Sequence, residues 1–108
     1  KIHRGLAEAT VFALMDIFNK NRQADRVIEQ TLKANKKWGA RDRNFIAENT
    51  YEIVRWWRLV KFVGEVEKAV TEDDFWVLFG AWQLIKPIHL KLENSIQLPE
   101  IMRKVTSL

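Results

Sequence analysis

The chain is 108 residues long, 47% apolar and 30% charged, with a formal net charge of +4. That length holds one domain with a single core and excludes an elaborate two-layer enzyme. Five Trp and six Phe supply apolar surface enough to fold without staples, and the lack of cysteine removes disulfides, thiolate metal sites and thiol nucleophiles.

Four Gly and two Pro argue against disorder and against a turn-rich β-sandwich. No apolar run approaches the roughly 20 residues of a membrane span, and no signal segment opens the chain. A cysteine-free chain of this kind is expected in a reducing cytoplasm. It begins at Lys1 and stops at Leu108 within an amphipathic pattern, so it reads as a single domain cut from a longer protein.

Apolar residues at helical spacing (Leu6, Thr10, Leu14, Ile17, Phe18) predict a first helix from Arg4 to Asn19. A break over Asn21–Gln23 precedes a second helix, which turns Ala24, Val27, Ile28, Thr31 and Leu32 inward and ends near Lys36 and Lys37. Gly39 is expected to close it with a positive φ. Asp42 is the expected N-cap of a third helix running to Gly64, with Ile46, Thr50, Ile53, Val54, Trp57 and Val60 on one face. Ile46, Ile53 and Trp57 are assigned to the core. Glu48, Glu52 and Arg55 lie opposite, with Glu52 and Arg55 spaced for an i,i+3 pair.

Trp56, Leu59 and Phe62 leave the stripe. Another helix of the same domain covering them is the preferred reading over a docking surface for a missing neighbour. Residues 65–70 are either a helical turn or a loop. Thr71-Glu72-Asp73-Asp74 has the form of a capping box opening a helix through Phe75, Leu78, Phe79, Trp82 and Ile85, which Pro87 is expected to stop. The alternation over Ile88–Leu98 suggests an extended segment, and Pro99 fits the start of a last short helix. The expected fold is all-α, about five or more helices around an aromatic core.

Nothing in this pattern performs chemistry. The glycines at 5, 39, 64 and 80 stand alone, so no loop of amides surrounds a phosphate. His3 and His89 have no clustered second ligand and fit surface or half-buried structural roles. Asp73 and Asp74 suit a helix N-terminus without further function. No catalytic, metal or cofactor site is expected.

The charge is informative because it is local. Lys36, Lys37, Arg41, Arg43, Arg55, Arg58 and Lys61 face only Asp42, Glu48 and Glu52, an excess equal to the whole net charge of +4. Nucleic-acid binding needs Lys and Arg for phosphates and planar groups for bases. Arg55 and Arg58 also suit ion pairs with Glu48 or Glu52. Lys36, Lys37, Arg41 and Arg43 sit at a helix junction and are preferred as contacts, followed by Arg4 and Arg58.

The run from Gly39 to Trp56, with Asp42-Arg43 opening a helix and Tyr51-Glu52-Ile53-Val54-Arg55-Trp56 following, resembles the NusB-like helical domain. It is most similar to that domain at the N-terminus of bacterial ribosomal RNA cytosine-5 methyltransferases of the Fmu/Sun type. Arg4, Ala7 and Leu14 suit the family's first helix. The likeness extends over about residues 3–86 at fold level, and 39–58 carry its specific motif. Glu52 stands where the family often has Gly, and the segment after Pro87 matches nothing in it.

The resemblance implies a NusB-like bundle that binds or positions ribosomal RNA and is itself non-catalytic. S-adenosylmethionine and the cysteine nucleophiles would belong to a C-terminal methyltransferase domain of the same chain. A free-standing NusB-type antitermination factor is the alternative, and a helical protein-docking domain without RNA binding is a third.

Overall fold

The computed structural model describes residues 3–93. Within them five helices follow in order: α1 (Arg4–Asn19), α2 (Ala24–Ala34), α3 (Ala40–Arg55), α4 (Trp57–Gly64) and α5 (Glu72–Glu93), with no strand. α1, α3 and α5 pack against one another, α2 closes the side formed by α1 and α3, and α4 lies along α5.

The periodic residues account for the core. Val11, Leu14, Ile46, Ile53, Val60, Phe75 and Leu78 are fully enclosed, and Trp82 nearly so. Burial of this kind stabilises by about 25 cal/mol per Å² of apolar surface, so packing rather than helix propensity holds the elements. One pair of polar side chains bridges α3 and α5. The Asn49 amide donates to the Phe45 carbonyl at 2.7 Å, and Gln83 of α5 donates to Asn49 Oδ1 at 2.9 Å.

The capping box at α5 forms as its sequence requires. The Asp74 amide donates to Thr71 Oγ1 at 3.2 Å, while Asp74 Oδ2 accepts from the Thr71 and Val70 amides, each at 2.9 Å. These amide donors, chiefly that of Val70, hold the Asp74 carboxyl below its usual range.

Other boundaries differ from the sequence expectation. α2 ends at Ala34, before Lys36 and Lys37. Gly39 has φ −75° and ψ 179° and is the N-cap of α3, so it takes no left-handed conformation and Asp42 falls inside the first turn. The long third helix is broken at Trp56, with φ −104° and ψ 33°, into α3 and α4. The break separates two adjacent indoles. Trp57 stacks on Phe18 with centroids 3.8 Å apart, while Trp56 meets His89 edge-on at 4.7 Å. On an unbroken helix they would be only about 100° apart.

Gly64 closes α4, but its role is packing. A Cβ there would lie 3.4 Å from both Ala81 and Val77, so α4 approaches α5 closely at this point. The left-handed position falls to Glu65, with φ 55°. Its amide reaches the Phe62 carbonyl at 3.2 Å and that of Val66 reaches Lys61 at 3.0 Å, the Schellman arrangement. Residues 65–70 are a turn and loop.

Pro87 does not stop α5, which continues to Glu93. Pro87 is exposed, so water can reach the Gln83 carbonyl that loses its amide partner. The extended segment expected from Ile88 is therefore helical as far as 93. Residues 94–98 and the expected helix at Pro99 lie outside the described residues.

Candidate nucleic-acid interface

The α2–α3 junction is built by two polar devices. Asn35 Oδ1 accepts the Lys37 amide at 3.3 Å, turning the chain out of α2 so that Lys36 and Lys37 project from a tight turn. Arg43, in the first turns of α3, donates from Nη1 to the Leu32 carbonyl at 3.1 Å. A guanidinium on one of the last carbonyls of α2 satisfies a group the helix itself leaves open and complements the negative end of its dipole.

The six cations singled out from sequence therefore divide. Lys36, Lys37 and Arg41 are exposed at one junction and enter no ion pair among the described residues. Arg43 is half-buried and fastens α3 to α2. Arg4 opens α1, where Glu8 holds its Nε at 3.3 Å. Arg58 is exposed in the first turn of α4 and has no ion pair among the described residues. Arg55 joins Glu52 at the expected i,i+3 spacing, 3.8 Å, with its guanidinium 5.2 Å from the Trp56 ring centre.

The N-terminus of α3 adds to this cluster. Its N-cap Gly39 provides no side-chain acceptor, so first-turn amides remain available beside Arg41. Positive side chains and free amides both favour phosphate oxygens.

A second grouping went unnoticed in the sequence because its members come from two helices well separated along the chain. Glu48, Glu52 and Arg55 of α3 face Trp82, Lys86 and His89 of α5 across a cleft of about 130 Å³. His89 is buried, not at the surface, with its ring against Trp56 and 5.6 Å from Trp82. Reading α5 as ending at Pro87 concealed the i,i+3 spacing that aligns Lys86 with His89.

Trp57 and Phe75 flank Phe18, which fixes Trp57 as a packing residue unavailable for stacking on bases. Of the suspected second face, Leu59 is buried and Trp56 half-buried, whereas Phe62 is 74% exposed. Among the described residues no cluster of His, Cys, Asp or Glu could hold a metal ion, and no helix is long and apolar enough to cross a membrane. Gly5, Gly64 and Gly80 lie in α1, α4 and α5, and Gly39 precedes α3 as its N-cap. Comparison with protein-family models, with curated proteins and with solved structures gives no match.

Proposed function

We propose that this chain is a NusB-like accessory domain that binds and positions ribosomal RNA for an S-adenosylmethionine-dependent cytosine-5 methyltransferase domain of the same protein, in the cytoplasm. The observation that carries the reading is the exposed junction at which Lys36, Lys37 and Arg41 project without carboxylate partners among the described residues, beside the open N-terminus of α3. The mechanism is positional. The cations hold phosphates while α1, α3 and α5 provide a rigid frame, so that a strand docked here presents its base to a neighbouring catalytic domain. No bond is made or broken on this chain.

The test is the salt dependence of binding to a structured ribosomal RNA fragment. Three phosphate contacts give a log–log slope of about −2 between roughly 50 and 200 mM salt. A slope near zero overturns both this reading and that of a free-standing antitermination factor. A second reading, a helical docking domain, is favoured by the apolar side chains left in solvent on α4 and α5. Phe62, Leu84 and Ile88 are 74%, 73% and 60% exposed.

A further inference from the structure

The cleft between α3 and α5 combines features that the junction does not. Trp82 is only 2% exposed, yet its indole N–H has no acceptor among the described residues. A buried donor left unsatisfied costs about 1–3 kcal/mol, so a small shift of this wall that brings it to the cleft is favoured once an acceptor is bound. On the opposite wall Glu48 is exposed and engages in no hydrogen bond or ion pair among the described residues. Glu52, its neighbour, is already committed to the Trp56 indole at 3.1 Å and to Arg55. Lys86 has its ammonium 5.5 Å from the Phe45 ring centre and enters no ion pair among the described residues.

Charge decides between classes of ligand. A cation would pair with Glu48 but leave the Trp82 donor unanswered and meet Arg55 and Lys86. An anion would satisfy those donors but face Glu48 and Glu52. A neutral, flat group with both N–H donors and a carbonyl acceptor suits both walls. The cleft volume, about 130 Å³, is close to the roughly 150 Å³ of a cavity that takes up benzene, and well below the roughly 300 Å³ of a drug-sized site. It admits the edge of a flat ring system, with the rest of the base and its sugar outside.

We propose that this cleft receives a single unpaired guanine base, with Glu48 accepting from its N1–H and N2 amino groups and Trp82 or Lys86 donating to its O6. A carboxylate accepts both guanine donors at once, whereas uracil offers one ring N–H and adenine no acceptor at the corresponding carbonyl. The site rests on the RNA reading above. It lies on the same helix as the basic junction, with Arg41 and Glu48 seven residues and about 10 Å apart along α3. A strand held at the junction could therefore place a nearby base here.

The test uses the full 108-residue chain and fluorescently labelled single-stranded hexanucleotides: all uridine, or the same with one central guanosine, inosine or adenosine. The guanosine oligonucleotide is expected to bind about tenfold tighter than all-uridine, equivalent to about 1.4 kcal/mol. Inosine, lacking the N2 amino group, should lose most of that gain. Glu48→Gln should erase the guanosine preference without altering the salt slope, and Lys86→Met provides a second variant on the other wall. Guanosine monophosphate added as a competitor separates a free nucleotide from an RNA base as the occupant, and a shift of the Trp82 indole N–H resonance with either supports the site. Equal, salt-dependent binding of all four oligonucleotides overturns the guanine site and leaves the RNA reading standing. Guanosine monophosphate shifting that resonance while no oligonucleotide binds supports the site and removes the RNA reading. Methylguanidinium binding in place of guanine overturns the proposal in favour of a basic protein side chain.

Discussion

Replacing Lys36, Lys37 and Arg41 together by Gln, while sparing Arg43, separates contact from support at the α2–α3 junction. The three side chains are exposed and unpaired among the described residues, so the variant should keep its stability within about 0.5 kcal/mol. Each phosphate contact on a single strand contributes about 0.7 to the log–log salt slope, so the triple change should flatten it by about 2. Over a fourfold rise in salt that is about a 20-fold difference in how far binding weakens. Arg43→Met should behave in the opposite way. It removes the charged donor on the Leu32 carbonyl, a loss of about 1.5 kcal/mol, and lowers Tm by roughly 6–12 °C with the salt slope retained. Fluorescence anisotropy across a salt series and thermal denaturation by circular dichroism read the two effects independently. A triple variant that melts early with an unchanged slope, or an Arg43→Met variant that melts normally and binds weakly, refutes this division of roles.

Pro87→Ala restores an amide donor to the Gln83 carbonyl within α5 and should stabilise the fold by about 1–3 kcal/mol; an unchanged urea midpoint would show that the helix already accommodates the ring without cost. Glu65→Gly relieves the left-handed backbone at φ 55° and should gain up to about 1 kcal/mol, read as a higher Tm, whereas a fall would mean that the Glu65 side chain itself supports the turn. Asp74 has a lowered pKa in the fold, so its contribution is complete above the unfolded value of about 3.9 and disappears as pH falls through the folded value below it. Asp74→Asn should therefore remove part of the acid-side loss of stability below about pH 4; pH-dependent unfolding curves that remain parallel for variant and native protein would contradict this.

Elements defined by a repeating apolar pattern were legible before any coordinates. α1 begins and ends where its sequence says, and Thr71 and Asp74 form the capping box that their spacing announces. Misread boundaries arose where one residue type serves two physical ends. Gly39 is read through backbone freedom, yet it caps α3 in extended geometry; Gly64 ends α4 where expected and in addition permits it to approach Ala81. Trp56 carries no breaker signal at all. Its kink accompanies tertiary contacts, with one indole against buried His89 and the next stacked on Phe18. The cations were visible as a cluster, but only the bond to Leu32 distinguishes Arg43 from its neighbours. The cleft was not legible, because it joins residues of two helices far apart in the sequence.

The Asn49–Gln83 hydrogen bond fixes how far α3 and α5 can slide along each other. Apolar side chains tolerate small displacements with modest loss, since one leucine-sized surface replaces another. A buried amide pair does not, because a shift of one helical turn, about 5.4 Å, would strand both groups against hydrocarbon. Changing both to Leu would retain burial while removing that selection, and alternative alignments of the two helices would compete with the native one. Glu48 and Lys86 each lie within one turn of this pair, so the bond also determines which side chains meet across the cleft. The amide pair works as an alignment key, trading some adaptability of the core for a single arrangement of its surface.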